Sequence, residues 1–167
     1  MEVLNSVLNL STYETEYELE RGKPMPSKNH GKLEARFAHA LLTKYSNDFD
    51  IETEVSLELT SGKATPDVAI SQLTVDDWFN DEIKVSVPPL SVIEIVSPTQ
   101  SIDEIKDKIF KIYFAAGVKS AWIVIPTLQS VYILTPDKKL RTFTSGIIKD
   151  EVMGIELDME AIFFKKQ

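Results

Sequence analysis

Cysteine is absent from the sequence, which excludes disulfide frameworks, thiolate zinc sites and cysteine nucleophiles. No apolar run approaches the roughly 20 residues that span a bilayer, and residues 1–10 lack the basic start of a signal peptide. Positive charge is also scarce, since 18 lysine and arginine residues accompany 26 acids and give a net charge of −8. Such a protein repels phosphate backbones on average, although a local basic patch can coexist with it. We expect a cytoplasmic protein without membrane segments.

The chain has the size and composition of one domain. Its 167 residues are 43% hydrophobic and 26% charged, which is the balance of a globular protein with a packed core. The sequence has no internal repeat, and residues 72–89, where hydrophobic periodicity is weak, predict a loop within the domain. We therefore predict a single domain over residues 1–167.

In the first half of the chain, hydrophobic spacing predicts one helix and two strands. Apolar residues recur at helical spacing over residues 31–45, and Glu34 falls within that stripe, so it should point inward. Residues 51–59 alternate as a half-exposed strand does, with Glu54 on the polar face. Residues 65–70 predict a second strand, and we expect the two strands to form a hairpin.

In the second half, residues 90–96 are apolar on both faces, as in a central strand that is covered on both sides. Ser101 and Glu104 fit a capping box for a helix that ends near Ala116. The order of strand, helix and strand implies a crossover between parallel strands of a mixed sheet. The remaining predicted elements are a buried strand over 121–126, a hairpin of 130–134 with 140–143, and a short helix over 158–164 that covers a sheet edge.

Three acids occupy positions where apolar residues would serve packing better: Glu34 in a helix stripe, Asp67 in a strand and Glu94 in the most hydrophobic strand. A buried charge without a partner costs several kcal/mol, so each acid must be paired, protonated or bound to a cation. Oxygen ligands suit Mg²⁺ or Mn²⁺, which one or two carboxylates often hold. Such an ion can polarise a phosphoryl oxygen and activate water. These acids therefore predict a shared metal site and phosphodiester hydrolysis.

Each of these acids also has a structural explanation. Glu94 could pair with a buried lysine or arginine, and Asp67 could be a turn or capping residue because it follows a proline. Glu34 could be an ordinary helix acid at the rim of the apolar stripe. Outside the acids, His30 and His39 are expected to be structural or surface residues. Trp122, on an apolar strand, is expected to be a core residue rather than a base-stacking platform.

The order of the acids resembles the PD-(D/E)XK nuclease superfamily, whose signature is a Pro-Asp pair followed by an acid two residues before a lysine. Here Pro66-Asp67 is followed by Glu94, and the helical Glu34 precedes both. Longer segments resemble, more narrowly, the bacterial Uma-type family of restriction endonucleases, over residues 17–163. These segments are TPDVAI at 65–70, IEIVSPT at 93–99, and YFAAGV at 113–118 followed by WIV at 122–124.

The resemblance implies a restriction-endonuclease-like α/β fold in which helices flank a central mixed β-sheet. It also implies that Asp67, Glu94 and the main-chain carbonyl of Ile95 ligate Mg²⁺ or Mn²⁺, with Glu34 completing or supporting the site. Val96 stands where the superfamily has its lysine. In the Uma-type family a lysine on the next helix supplies that charge instead.

Three lysines lie on that helix. Its apolar stripe turns Lys111 away and leaves Lys106 and Lys108 on opposite flanks. The family has a lysine shortly before the tyrosine, which favours Lys108 and leaves Lys106 as the alternative. A helix salt bridge with Glu104 is an equally good explanation for Lys108.

Together these residues predict a magnesium-dependent endodeoxyribonuclease. Asp67 and Glu94 would bind the ion, and Lys108 would position water or stabilise the charge that develops at the phosphorus. Nucleic acid, with DNA expected, is the implied partner, and a homodimer would provide two sites for two strands. One alternative is a catalytically silent nucleic-acid-binding or protein-interaction module that keeps the fold. Another is a protein whose acids serve only stability and whose role is dimerisation.

Overall fold

A six-stranded mixed sheet forms the centre of the protein, for which a computed structural model describes residues 16–164. The expectations for residues 1–10 lie outside the described residues. In their order across the sheet, the strands are β1 (Phe49–Thr53), β4 (Val68–Gln72), β5 (Ser91–Ile95), β6 (Ser120–Ile125), β7 (Ser130–Leu134) and β8 (Leu140–Phe143). β5 and β6 run parallel, whereas the other neighbouring pairs of this sheet are antiparallel.

Two small hairpins and several helices complete the described part of the chain. The hairpins are β2 (Leu57–Leu59) with β3 (Gly62–Ala64), and β9 (Ile147–Asp150) with β10 (Ile155–Asp158). The α-helices between residues 16 and 164 are α1 (Glu16–Arg21), α2 (Lys28–Tyr45), α3 (Ile102–Lys108) and α4 (Met159–Phe163).

Helices cover both faces of the six-stranded sheet. On one face, Phe37 of α2 belongs to the same apolar cluster as Ile93 of β5. On the other face, Ile105 of α3 belongs to a second cluster with Val92 of β5. Successive side chains of a strand point to opposite faces, and β5 is therefore buried along its whole length. This arrangement confirms the predicted α/β fold, in which helices flank a central mixed sheet.

Helix α2 begins one turn earlier than its apolar stripe predicts. Ser27 is the N-cap, and its side chain accepts a hydrogen bond from the backbone N–H of His30, which satisfies one of the free N–H groups of the first turn. The buried stripe consequently includes His30 as well as Leu33, Phe37 and Leu41. The earlier start therefore brings a histidine into the buried face of the helix.

The predicted strand over residues 51–59 is interrupted, which corrects the prediction. β1 ends at Thr53, Glu54 has a φ of 57°, and β2 begins in a separate sheet. A left-handed residue between the strands disrupts the alternation of side chains, so Glu54 does not follow the polar face of a continuous strand. β1 does pair antiparallel with β4, as the predicted hairpin requires, and β2 and β3 form its tip.

The helix after Ser101 has the predicted extent but an irregular end. The side chain of Ser101 accepts a hydrogen bond from the backbone N–H of Glu104. After α3, residues 109–113 form a π-helical turn and residues 114–116 a 3₁₀ turn. Gly117 then ends the helix at a φ of 100°, a left-handed conformation that glycine adopts without steric cost.

The C-terminal third agrees with the predicted pattern in part. The hairpin of β7 and β8 and the buried strand β6 are confirmed, and Trp122 is a fully buried core residue. The hairpin of β9 and β10 was not predicted. α4 contacts α2 and β10, and Arg36 of α2 donates a hydrogen bond to the carbonyl of Ile162 at 2.8 Å. This helix thus belongs to the layer on the α2 face, whereas the sequence predicted that it covers a sheet edge.

The predicted loop between β4 and β5 is also confirmed. Val85 of this loop forms an isolated β-bridge with Leu57 of β2. Among the helices of residues 16–164, none combines the length and the apolar character that a membrane span requires.

Candidate metal centre

Asp67 and Glu94 lie opposite each other on neighbouring strands. Val68 of β4 pairs with Ile93 of β5 in antiparallel register, so the next step along both chains brings Asp67 opposite Glu94. Each residue is 1% exposed, and their partners come from different layers, with His30 of α2 at Asp67 and Lys108 of α3 at Glu94. The sequence therefore folds two acids into adjacent buried positions.

The carboxylate of Asp67 accepts three hydrogen bonds. Oδ1 lies 2.5 Å from Nζ of Lys23 and 3.0 Å from Nε2 of His30, and Oδ2 accepts the backbone N–H of Ile95 at 2.6 Å. Burial alone would raise the pKa of Asp67, but the hydrogen bond from His30 and the charge of Lys23 outweigh it and hold the pKa at about 2. Asp67 is therefore ionised throughout the neutral range.

Two further acids face Asp67. Glu34 of α2 and Glu54 after β1 each place a carboxylate oxygen within 4.8 Å of the others and of Asp67. Glu54 also forms ion pairs with Arg21 and, at 3.6 Å, with Lys23. These contacts make a group of three carboxylates from three different elements.

Glu34 is the acid of this group that lacks a cation of its own. Its Oε1 atom is buried without a hydrogen-bond partner. Burial, the shared contact with Glu54 and the negative charges of Glu54 and Asp67 raise the pKa of Glu34 to about 8. At neutral pH Glu34 therefore retains a proton for much of the time, which reduces the repulsion within the group.

Glu94 is held by α3 and the turn that follows it. The hydroxyl of Tyr113 donates to Glu94 Oε1 at 2.5 Å, and Nζ of Lys108 lies 3.1 Å from the same atom. Burial, and next the charge of Glu94, raise the pKa of Tyr113 well above its usual value, so the phenol remains a donor. Burial acts to lower the pKa of Lys23, but the charges of Glu94, Asp67 and Glu54 together raise it above its ordinary value.

The geometry separates the three lysines of this helix. Lys108 points to Glu94, and its side chain is 16% exposed. Lys106 turns to Asp103 at 3.1 Å, and Lys111 lies 3.8 Å from Asp107; both of these lysine side chains are largely exposed. Only Lys108, of the three, contacts an acid of the candidate site.

Comparison with known proteins identifies the family. The sequence matches the family described as "Uma2: Putative restriction endonuclease" over residues 11–160. The chain belongs to the Uma2 family. A similar solved structure, titled as a "putative nuclease belonging to DUF820" from Anabaena variabilis, is 17% identical and covers 84% of this chain and 83% of its own, with a TM-score of 0.72. At this identity the likeness shows a shared fold. A search of curated proteins finds no match.

The Uma2 chain brings the three predicted acids into one region, where they form two groups near Asp67. Glu34 and Asp67 lie in the group with Glu54, and Glu94 lies opposite Asp67 with Lys108 beside it. Ile95 contributes its N–H to Asp67, while the role of its carbonyl as a ligand stays a prediction. Glu34 points inward as the helical spacing predicts.

Four contact residues of this site were not recognised from the sequence. His30 is buried and contacts Asp67, a contact that the prediction of a structural or surface role did not include. His39 is exposed. Helical spacing could have found His30, because it lies four residues before Glu34. No pattern indicated the others, which are Lys23, Glu54 and Tyr113.

A buried acid elsewhere in the described chain shows what a satisfied carboxylate looks like. Asp150 Oδ2 accepts hydrogen bonds from Ser120 and Trp122, and Oδ1 accepts the backbone N–H groups of Val152 and Met153. All its partners are neutral donors. Asp67, Glu54 and Glu94 instead each contact at least one lysine or arginine, and Glu34 has an unpartnered oxygen.

The residues of this region fit a hard divalent cation. The donors are carboxylate oxygens, which Mg²⁺ and Mn²⁺ prefer. The buried Oε1 of Glu34 without a hydrogen-bond partner is the kind of atom that a bound ion or its water would satisfy.

Proposed function

We propose that this Uma2 protein is an endonuclease that uses Mg²⁺ or Mn²⁺ to hydrolyse phosphodiester bonds in DNA. The observation that carries the proposal is the pair of buried acids where β4 and β5 adjoin, Asp67 and Glu94. Nζ of Lys108 lies 3.1 Å from the carboxylate of Glu94. Buried acids cost free energy in a metal-free protein unless their charge is balanced. In the metal-free protein Lys23 and Lys108 supply that balance, and a divalent cation would supply it when bound.

Asp67, Glu94 and the carbonyl of Ile95 would hold the ion, with Glu34 in support. When bound, it supplies polarisation of a phosphoryl oxygen and activation of water. The low pKa of Asp67 keeps that carboxylate available as an anionic ligand at neutral pH. The N–H of Ile95 fixes the orientation of Asp67 through its Oδ2 atom. The hydroxyl of Tyr113 does the same for Glu94.

Lys108 and Glu34 would act on the substrate side of the site. Lys108 is held by Glu94 but keeps part of its side chain exposed, so its ammonium group is positioned to stabilise negative charge that develops around the phosphorus. Burial and the charges of Glu54 and Asp67 raise the pKa of Glu34 to about 8; a bound cation would lower it and leave a carboxylate that can accept a proton. We propose that it accepts the proton of the attacking water.

A catalytically silent module is the competing function, and two observations favour it. The net charge of −8 opposes binding to phosphate backbones. Asp67 already forms an ion pair with Lys23 and contacts His30, so its charge is balanced without a metal ion. Under this alternative the protein keeps the nuclease fold for recognition of nucleic acid or protein.

Cleavage of supercoiled plasmid DNA separates the two functions. We expect the wild-type protein to nick or linearise the plasmid with Mg²⁺ or Mn²⁺ and to leave it intact in EDTA. Asp67→Asn should be inactive, whereas Glu104→Gln, which changes an exposed acid, should cut as the wild type does. Equal cutting by Asp67→Asn would refute the site. Wild-type protein that binds DNA or RNA but cuts neither with any divalent ion would favour the silent module.

We further propose that the enzyme is a homodimer, because two sites allow both strands to be cut in one complex. We also propose that it acts in the cytoplasm. Sedimentation velocity at assay concentrations tests the dimer directly. A monomer that still linearises plasmid would show that one site cuts the strands in succession.

A further inference from the structure

Lys23 is a buried lysine at the centre of the acidic region. Its side chain is 4% exposed, and its Nζ atom lies 2.5 Å from Asp67 Oδ1 and 3.6 Å from Glu54 Oε2. Lysine is rarely buried to this degree unless it is paired. The residue lies in the connector of residues 22–27 between α1 and α2. It therefore belongs neither to the central sheet nor to α2 or α3, the helices that pack on that sheet.

The contacts of Asp67 show what this lysine occupies. A carboxylate oxygen offers two acceptor positions, and Asp67 therefore has about four. Lys23 and His30 use those of Oδ1, and the N–H of Ile95 uses one of Oδ2. A metal ligand must present a lone pair to the ion, so most of Asp67 is engaged in the metal-free protein.

We propose that the ammonium group of Lys23 is the resident counter-cation of this site, and that a divalent metal ion binds by displacing it from Asp67. The inference rests on the proposed function, because it assumes that Asp67 is a metal ligand. Lys23 and the ion are both cations that are attracted by the same carboxylates, so occupation by one opposes occupation by the other.

The side chains around Lys23 allow this exchange. Lys23 has a flexible four-carbon stem, whereas the N–H of Ile95 belongs to β5 and cannot leave Asp67 without moving the strand. Lys108 contacts Glu94, and no contact of Lys108 with Asp67 is present. Among the described lysines near the acids, Lys23 is therefore the one whose departure opens Asp67.

Isothermal titration with MnCl₂, without nucleic acid, tests the exchange. Lys23→Met keeps the length and apolar character of the stem but removes the charge, and we expect it to bind Mn²⁺ at least about tenfold more tightly than wild type. Lys111→Met, which changes an exposed lysine, is the matched control and should bind as the wild type does. Equal or weaker binding by folded Lys23→Met would overturn the proposal.

A second measurement covers the case in which Lys23→Met does not fold without metal. In a crystal structure of the wild-type protein grown with MnCl₂, an ion should contact Asp67, and Lys23 Nζ should lie beyond hydrogen-bond distance of Oδ1. An ion on Asp67 with Lys23 still in place would overturn the exchange.

These experiments distinguish failure of the inference from failure of the proposed function. A wild-type enzyme that cuts DNA with Mn²⁺, together with Lys23→Met of unchanged affinity, would refute only the exchange. Tighter binding by Lys23→Met in a protein that cuts no nucleic acid would support the exchange and refute the nuclease. Absence of Mn²⁺ binding by both proteins would refute both.

Discussion

Glu34 gives the most direct test of the electrostatics of this site. Burial and the acids around it raise its pKa from an ordinary value of 4.5 to about 8. Between these values the folded state holds a proton that the unfolded state has lost, so the free energy of unfolding falls as the pH rises. The stabilising contribution is complete below pH 4.5 and is lost as the pH passes about 8.

The size of the effect follows from the same interval. About 3.5 pH units at about 1.36 kcal/mol each give roughly 4.8 kcal/mol as an upper limit. Glu34 is only half-buried, so solvent screening reduces this figure, and we expect about 2 kcal/mol. Glu34→Gln has no proton to lose, and its stability should lack this decline with pH.

Urea denaturation in EDTA at pH values from 5 to 9 measures the difference. Glu34→Gln and wild type should be nearly equal at pH 5, and the variant should be more stable by about 2 kcal/mol at pH 9. Glu104→Gln, on an exposed helix position, should follow the wild type at each pH. A constant difference between Glu34→Gln and wild type over this range would refute the reasoning.

Three further substitutions test other contacts of the site. Tyr113→Phe removes the donor to buried Glu94 and should lower the free energy of unfolding by about 1–3 kcal/mol in denaturant titrations; unchanged stability would show that Glu94 finds another donor. Lys108→Ala should keep Mn²⁺ binding but lose at least about a hundredfold in plasmid cleavage, whereas Lys111→Ala should cut normally, and equal rates for the two would exclude Lys108. Glu54→Gly should be about 1 kcal/mol more stable than Glu54→Ala, because φ is 57° there; the reverse order would argue against a left-handed residue.

The elements that the sequence predicts well are those with strong periodicity and clear end signals. β5 has apolar residues on both faces and is buried throughout, and α2 has a stripe that continues for most of its 18 residues. Ser101 and Gly117 bound the helix between β5 and β6 as their chemistry requires. Tertiary packing agrees with local preference at these positions, so the pattern is sufficient.

The contacts missed at the site arise where local pattern and tertiary structure differ. The alternation of residues 51–59 continues through Glu54 in the sequence, but the left-handed backbone at that residue ends β1 and turns the acid towards Glu34 and Asp67. Lys23 lies in a connector without periodicity, so its position depends wholly on how α1 and α2 are placed. No local signal encodes that placement.

Buried acids themselves do not reveal their role, as Asp67 and Asp150 demonstrate. Both are nearly inaccessible to solvent, and both would attract attention in an apolar segment. Asp150 receives four hydrogen bonds from neutral groups, so its negative charge is stabilised in place without a counter-ion. Asp67 receives one hydrogen bond from a neutral backbone group, and its other contacts are with Lys23 and His30, beside Glu34 and Glu54. Because the flexible side chain of Lys23 could leave Asp67 and fixed backbone donors could not leave Asp150, we expect the kind of partner, rather than burial, to distinguish an acid that can bind a metal from one that holds the fold together.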